Sequence, residues 1–266
     1  MTEHGAMDCQ EAGSGATIVF VPGSCSIGAA WKPIIAALGD DYRCITTSLP
    51  GYGGSAERRS PGDIAIAHHI DAISHVIDRA GGDVHVVGHS FGAHVSLALA
   101  LRGDKRIRSL FLAEPPTPSI LDTSGEQAAY RAFVEMSAAF IADFAGGNAF
   151  AAGTVIDFYG GEGTFASWPE RMRQFVVQTS PTLILDWQSA YATEITPDML
   201  ARIDVPLTAL IGRRSHPSVR LVNQILCRHV KGARLLDLED AAHFMIATHP
   251  TEVAAMIRDH LRAVEG

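Results

Sequence analysis

The sequence lacks the features of membrane and exported proteins. Its longest purely apolar runs, such as residues 97–101, are far shorter than the roughly 20 residues that a membrane-spanning helix needs. The first residues, MTEHG, do not show the basic and then apolar layout of a signal peptide. We therefore expect a cytoplasmic protein that does not bind a membrane.

Positively charged residues are fewer than negatively charged ones. Lys and Arg total 21 against 29 Asp and Glu, which gives a formal net charge of −8. A nucleic-acid binder needs a basic surface, whereas this balance fits an enzyme that handles small molecules. The predicted partner is a small-molecule substrate rather than a nucleic acid, and the protein is expected to be a monomer or a homodimer.

Cysteine is scarce, and its placement is not that of a metal or redox motif. The four cysteines lie far apart, with no C-x-x-C pair, at Cys9, Cys25, Cys44 and Cys227. The 12 histidines include no H-E-x-x-H motif. We therefore expect free thiols, no metal ion and no cofactor.

The chain does contain a regular alternation of short β-branched runs and longer helical patterns. Strands are predicted at residues 17–21, 43–48, 84–88, 109–113, 207–211 and 234–238. Helices are predicted at residues 28–38, 64–80, 91–101, 217–230 and 250–263. This alternation is typical of a parallel sheet with crossover helices. The expected fold class is α/β, with a mostly parallel central sheet and helices on both faces.

The alternation stops between Pro115 and Val205 and then resumes. This stretch has no convincing strand in its middle, and it contains helical patterns at 127–144 and 169–179. We interpret residues 116–203 as a helical insertion into one α/β domain made of residues 1–115 and 204–266. A second, independently folding domain is the alternative, but the stretch begins and ends beside the predicted sheet.

The sharpest motif is Gly88-His89-Ser90-Phe91-Gly92, which follows a buried strand and opens a helix. A G-x-S-x-G sequence in this setting is typical of a nucleophile elbow, a tight turn that presents the serine hydroxyl. The backbone N–H of Phe91 would then lie at a helix N-terminus, where it can stabilise an oxyanion. The alternative is a glycine-rich turn with a helix-capping serine.

A serine hydroxyl needs a base, and His243 is the candidate. It follows the last predicted strand, after the small residues Ala241 and Ala242, which would let a loop bring it over Ser90. The alternative is a surface histidine.

The loop after the first central strand is Val21-Pro22-Gly23-Ser24-Cys25. A second oxyanion donor normally comes from such a loop, and the backbone N–H of Ser24 is best placed to supply it. Cys25 is an alternative nucleophile, but it lacks an elbow and a neighbouring histidine in the sequence. The turn-rich stretch at residues 49–55 lies at the same edge of the predicted sheet, and we interpret it as structural.

Together, these motifs resemble those of the α/β-hydrolase fold superfamily over nearly the whole chain. The matching stretches are V-P-G-S at 21–24, L-P-G-Y-G-G-S at 49–55, G-H-S-F-G at 88–92 and A-A-H-F at 241–244. The resemblance implies a Ser–His–acid hydrolase whose active site lies between the sheet and a helical cap, here residues 116–203. It identifies the fold far better than the substrate.

The chain departs from the family pattern at three places. Pro22 stands where the family usually has histidine, and Ser48 stands where an aspartate commonly opens the second loop. The third departure concerns the acid itself, because Ser215 occupies the usual acid position after the strand that follows the cap.

Glu114 is the predicted acid of the triad. The acid must lie at the carboxyl edge of the sheet, and Glu114 ends the strand expected to neighbour that of Ser90. By contrast, Asp204 precedes its strand, Asp237 lies within a strand expected to be buried, and Asp240 is too close to His243 in sequence. A branch of the haloalkane dehalogenases resembles this arrangement in placing its acid after the same strand. The alternative is a structural carboxylate beside a Ser–His dyad.

The predicted chemistry is acyl transfer through an acyl-enzyme, on an ester, thioester, lactone or related carbonyl bond. Apolar side chains of the insertion, together with two residues beside the motifs, predict an apolar substrate pocket formed by Cys25, His89, Phe144 and Trp168. Packing within the insertion is the alternative for its aromatic residues. A cofactor-free perhydrolase or haloperoxidase on the same fold, and a non-catalytic ligand receptor, are the alternative functions.

Overall fold

The computed structural model describes residues 6–103 and 106–266. Its strands form a single seven-stranded sheet in the order β1-β3-β2-β4-β5-β6-β7. The strands are β1 (Cys9–Ala12), β2 (Ala16–Val21), β3 (Tyr42–Thr47), β4 (Val84–His89), β5 (Ile107–Ala113), β6 (Leu207–Gly212) and β7 (Arg234–Leu238). Only β1 runs antiparallel to its neighbour, and every other pairing is parallel. The predicted α/β fold class is confirmed.

Helices connect the strands. Those that pack on the sheet are α1 (Lys32–Leu38), α2 (Ala67–Ala80), α3 (Phe91–Leu101), α10 (Pro217–His229), α11 (Met245–Thr248) and α12 (Pro250–Glu265). Those between β5 and β6 are α4 (Pro118–Thr123), α5 (Gln127–Ala145), α6 (Gly153–Gly160), α7 (Thr164–Ser167), α8 (Glu170–Ala192) and α9 (Pro197–Leu200). In the described part of the chain, no helix combines the length and the apolar character needed to cross a membrane.

Both faces of the central strands are covered because their sequences are apolar at successive positions. In β2, Val19 belongs to the apolar cluster that includes Ile73 of α2, whereas Phe20 belongs to the cluster that includes Trp31 and Ile34. Successive side chains of a strand point to opposite faces, so one short run fills two cores. Because these strands are parallel, their carboxyl ends lie at the same edge of the sheet, and the loops that follow them can form a site there.

Three local predictions were incomplete or wrong. Strand β1 was missed because its sequence, C-Q-E-A, has little of the β-branched character of a strand, and its side chains are mostly exposed. Strand β7 was expected to be buried, but it lies at the sheet edge, and the side chain of Asp237 is 42% exposed. Helix α8 continues 13 residues beyond the predicted end at residue 179, because Pro181 is accommodated inside it.

The six helices between β5 and β6, hereafter the helical insertion, are built around aromatic side chains. The ring of Phe133 on α5 lies 5.8 Å from that of Trp187 on α8 and 5.4 Å from that of Phe158 on α6. Strand β5 ends at Ala113 and β6 begins at Leu207, so the helical insertion leaves and rejoins the sheet at adjacent strands. The boundaries at 116 and 203 stay a prediction.

Candidate active site

A sharp turn carries Ser90 between β4 and α3. The backbone of Ser90 has φ 53° and ψ −129°, a conformation that costs a non-glycine residue free energy. A Cβ atom on Gly88 would lie 2.7 Å from the Cα of Ala93, and one on Gly92 would lie 2.5 Å from the carbonyl oxygen of Val21. Both glycines are therefore required for the close approach of the backbone on either side of Ser90.

Ser90, His243 and Glu114 form one continuous chain of hydrogen bonds. The Oγ of Ser90 lies 2.9 Å from Nε2 of His243, and Nδ1 of His243 lies 2.6 Å from Oε2 of Glu114. The other carboxylate oxygen of Glu114 accepts a hydrogen bond from the backbone N–H of Gly212 at 2.7 Å. A carboxylate only accepts, so His243 carries its proton on Nδ1 and leaves Nε2 free to accept from Ser90.

The sheet brings these residues together because β4 and β5 are parallel neighbours. His89 pairs in register with Ala113, so Ser90 and Glu114 follow the two strands at the same edge. The backbone N–H of Ser90 donates to the carbonyl oxygen of Ala113 at 2.8 Å. Glu114 also has a positive φ, 50°, and is completely buried, so both residues lie on strained turns held by the sheet.

Neighbouring rings hold His243, which comes from the loop between β7 and α11. His89 donates from Nε2 to the carbonyl oxygen of His243 at 2.8 Å, and burial lowers the pKa of His89 to about 3, which keeps that ring neutral. The ring of Tyr159, on α6 of the helical insertion, packs on the His243 ring with centroids 4.1 Å apart. The imidazole is thus only 2% exposed and packs against the rings of Tyr159 and His89.

The loop that follows β2 packs directly against Ser90. A Cβ atom on Gly23 would lie 2.7 Å from the Cβ of Ser90, so the loop backbone runs beside the elbow. The next residue, Ser24, donates from its hydroxyl to Asp186 on α8 at 2.5 Å. The loop N–H of Ser24 and the first N–H of α3, at Phe91, are therefore two candidate oxyanion donors close to one serine.

Cys25 lines the site but is poorly suited to act as a nucleophile. Burial raises the pKa of its thiol to about 12, although a hydrogen bond from Thr179 partly opposes that effect. The thiolate is the reactive form of cysteine, so this side chain remains a neutral thiol near pH 7. All four cysteines of the chain are free.

Two cavities meet at Ser90 and His243. The inner cavity lies between the elbow and helices α6 and α8, and it is lined by apolar residues that include Phe91, Val155, Ile156, Leu183 and Trp187. The outer cavity extends on the other side, past residues that include Ala29, Pro33, Trp168, Met172 and Ala247. A substrate whose reacting carbonyl lies at Ser90 would therefore place one part in each cavity.

The predicted substrate-binding residues divide into two groups. Cys25, His89 and Trp168 line the cavities, and the Trp168 ring lies 4.9 Å from that of Phe244. The structure does not bring Phe144 to either cavity. Its ring packs on Phe140, 6.3 Å away, because that face of α5 is turned toward the interior of the helical insertion.

Sequence reasoning missed two residues of the site, Tyr159 and Asp186. Both lie on helices of the insertion, and both line the inner cavity. An acidic residue inside the apolar run Leu183-Ile184-Leu185-Asp186-Trp187 was a usable signal, because a buried carboxylate needs partners. Tyr159 gave no comparable signal, since an aromatic residue within a helix is ordinary.

Two of the departures from the expected motifs have local explanations. Ser48 accepts a hydrogen bond from the N–H of Gly28 at 3.0 Å and donates to Asp8 at 2.7 Å, so a carboxylate reaches this loop from another part of the chain. Ser215 is buried, and its hydroxyl has no hydrogen-bond partner among the described residues. The acid that bonds His243 comes instead from the end of β5.

A metal centre is not evident in the described residues. No group of three or more His, Cys, Asp or Glu side chains is arranged there to hold a metal ion. The groups that converge on the two cavities are a hydroxyl, an imidazole, a carboxylate and backbone N–H donors.

The chain is similar to known proteins in both sequence and structure. The family profile described as "Alpha/beta hydrolase family" matches residues 18–256. A pimeloyl-[acyl-carrier protein] methyl ester esterase of Neisseria meningitidis is 29% identical over 219 residues, which cover 81% of this chain and 82% of that protein.

Solved structures of similar shape include two esterases. That of Thermogutta terrifontis superposes with a TM-score of 0.77 at 22% identity, covering 98% of this chain and 94% of the other. That of Exiguobacterium antarcticum superposes with a TM-score of 0.76 at 19% identity, covering 98% and 96%. At these identities the similarity shows the fold alone.

Proposed function

The chain belongs to the alpha/beta hydrolase family, and we propose that it is a serine hydrolase of carboxylic esters that works through an acyl-enzyme. One observation carries the proposal, namely the unbroken hydrogen-bond chain from Ser90 through His243 to Glu114. A hydroxyl on a strained turn, an imidazole in the correct tautomer and a buried carboxylate are the parts that acyl transfer requires.

In the first half of the proposed reaction, Ser90 Oγ attacks the ester carbonyl carbon while His243 Nε2 takes the hydroxyl proton. Glu114 stabilises the resulting imidazolium through its bond to Nδ1. The negative charge that develops on the carbonyl oxygen is held by the backbone N–H groups of Phe91 and Ser24. His243 then protonates the leaving alkoxide as the C–O bond breaks, leaving an acyl group on Ser90.

In the second half, water attacks the acyl-enzyme by the same route. His243 removes a proton from the water, the same donors hold the oxyanion, and the proton returns to Ser90 as the acid departs. Tyr159 and His89 hold the imidazole in place through both halves.

The apolar lining of both cavities supports an ester with apolar substituents as substrate. The relative from N. meningitidis carries the name of a methyl ester esterase, and this supports ester cleavage over amide or carbon–carbon bond cleavage. A serine in the elbow also argues against dehalogenation and epoxide hydrolysis, which use a carboxylate nucleophile in proteins of this fold.

The proposal is tested with a series of p-nitrophenyl esters of increasing acyl length. We expect the wild-type protein to hydrolyse them and Ser90→Ala to lose at least about 10³-fold in kcat. Ser215→Ala is the matched control, because its buried hydroxyl has no partner among the described residues, and it should retain wild-type turnover.

A fluorophosphonate probe gives a second readout, because only an activated serine reacts with it. We expect labelling of the wild-type protein and none of Ser90→Ala. Wild-type rates of hydrolysis by Ser90→Ala would contradict the proposal. A wild-type protein that neither hydrolyses the esters nor reacts with the probe would also contradict it.

A further inference from the structure

Asp186 is a buried carboxylate that the proposed reaction does not use. It lies on α8 of the helical insertion, is 2% exposed, and borders the inner cavity. Its Oδ2 accepts hydrogen bonds from the hydroxyls of Ser24 at 2.5 Å and Tyr52 at 2.6 Å. Its Oδ1 lies 2.7 Å from Nη2 of Arg59 and 3.6 Å from Nε2 of His69. An acidic residue of the helical insertion is therefore bound by side chains that all come from the part of the chain before β4.

The carboxylate of Asp186 is charged in this position. Burial alone would raise the pKa of Asp186, but the nearby His69 ring, the charge of Arg59 and the hydrogen bond from Ser24 outweigh burial and hold that pKa below its ordinary value. Arg59 is itself completely buried and also pairs with Glu57 at 2.8 Å. Arg59 thus lies between two carboxylates, the buried Asp186 and the partly exposed Glu57, and offsets the charge of Asp186 only in part.

The loop bound by Asp186 is under backbone strain. Cys25, immediately after Ser24, has φ 53°, which a side-chain-bearing residue adopts only when its surroundings impose it. Two residues of α8 form hydrogen bonds with this loop, Asp186 with the Ser24 hydroxyl and Thr179 with the Cys25 sulfur, 3.5 Å away. They are seven residues apart, so they lie on one face of the helix, two turns from each other.

We propose that Asp186 is a positioning residue, which holds Ser24 so that its backbone N–H points at the oxyanion formed on Ser90. Asp186 does not contact the reacting atoms. It acts through the Ser24 hydroxyl. The direction of the Ser24 backbone N–H, the second oxyanion donor, therefore depends on the position of α8 relative to the loop after β2. The inference deepens the proposed serine-hydrolase function and rests on it.

The kinetic signature follows from when the oxyanion exists. A donor to the oxyanion acts in the transition state and hardly at all in the bound ester, so its displacement lowers kcat and leaves KM nearly unchanged. Complete loss of one such donor costs about 10²- to 10³-fold in kcat, and a displaced donor should cost less, about 10- to 100-fold.

The test is a double-mutant cycle between Asp186→Asn and Ser24→Ala, assayed on p-nitrophenyl butyrate. Asn keeps the shape of Asp but has one acceptor oxygen, which the buried Arg59 guanidinium requires, so its NH₂ group faces Ser24 and the Ser24 hydroxyl loses its acceptor. Ala removes the hydroxyl while keeping the backbone N–H of residue 24. We expect each variant to lose about 10- to 100-fold in kcat with KM within about threefold. The double variant should be no worse than the poorer single one, because both changes break the same link.

A transition-state analogue gives an independent readout. Binding of an alkyl trifluoromethyl ketone, which forms an oxyanion on Ser90, should weaken in parallel with kcat, whereas binding of the product acid should not change. Ser189→Ala is the matched control, because Ser189 is buried on the same helix, three residues further along, and does not line the inner cavity. It should retain wild-type kcat.

Several results would overturn the inference. An Asp186→Asn protein with a wild-type melting temperature and kcat within about threefold is one, and multiplicative losses in the double variant are another. If Asp186→Asn does not fold because Arg59 loses one of its two carboxylate partners, Ser24→Ala alone decides. Ser24→Ala leaves the Arg59–Asp186 ion pair intact, and an unchanged kcat overturns the inference. Ser90→Ala in the same series separates the two proposals. If Ser90→Ala stays active, the proposed serine-hydrolase function is wrong. If Ser90→Ala is inactive while Asp186→Asn and Ser24→Ala keep wild-type kcat, the proposed role of Asp186 is wrong.

Discussion

Glu114→Gln should abolish most turnover through the tautomer of His243 rather than through loss of a contact. In the structure, one oxygen of Glu114 accepts from the N–H of Gly212 and the other from Nδ1 of His243. Glutamine has a single acceptor oxygen, and the buried backbone donor of Gly212 requires it. The amide NH₂ must then face His243, and since it donates, Nδ1 must accept.

An imidazole that accepts at Nδ1 carries its proton on Nε2, the atom 2.9 Å from Ser90 Oγ. His243 would then be unable to take the serine proton. Placing the wrong tautomer in a serine triad lowers kcat by about 10⁴-fold, which corresponds to about 5.5 kcal/mol of transition-state stabilisation. KM should change little, because Glu114 is completely buried and lines neither cavity.

The assay is hydrolysis of p-nitrophenyl butyrate at pH 8, together with the rate of fluorophosphonate labelling, which should fall in step with kcat. Asp240→Asn is the matched control, because that carboxylate is only three residues from His243 but is exposed and pairs with Arg214 at 2.5 Å. It should leave kcat unchanged. Turnover by a folded Glu114→Gln protein within about tenfold of the wild type would refute the assignment of the acid.

Two further predictions concern the framework of the site. Gly92→Ala should destabilise and inactivate the protein, because the new Cβ would overlap the carbonyl oxygens of Pro22 and Val21. Chemical denaturation measures the loss of stability, and ester hydrolysis measures the loss of kcat. A variant with wild-type stability and kcat would contradict this explanation. Burial lowers the pKa of His260 to about 4. Its contribution to stability is therefore complete above about pH 6.5, where the unfolded histidine is also neutral, and it is lost as the pH falls from about 6.5 toward 4. The wild-type free energy of unfolding should fall between pH 7 and pH 5 by about 2 kcal/mol more than that of His260→Gln, and equal slopes in urea titrations would exclude this.

The fold and the central residues of the site could be predicted because their signals are local. The elbow is a strand, a tight turn and a helix within 18 residues from Val84 to Leu101, and each part has its own pattern. The position of Glu114 depended on one further inference, that β5 lies beside β4, which parallel sheets with short crossovers make common.

The remaining parts of the site could not be predicted because they depend on packing between distant segments. Asp186 and Ser24 are 162 residues apart in sequence, and no sequence pattern around either residue predicts their hydrogen bond. The length of α8 was underestimated for a related reason, since α8 buries residues on either side of Pro181 in sequence and so continues through a proline that local propensity alone would place at its end.

The N-terminal segment has a practical consequence for handling the protein. Asp8 joins Ser48 through its side chain, and its backbone carbonyl accepts hydrogen bonds from the N–H of Ser48, at 3.3 Å, and the hydroxyl of Thr47, at 2.8 Å. Ser48 in turn bonds Gly28, three residues beyond Cys25. Removing residues 1–8 would therefore delete the carboxylate that Ser48 bonds and weaken the support of the loop at Gly28, so shortened versions of the protein should retain Asp8.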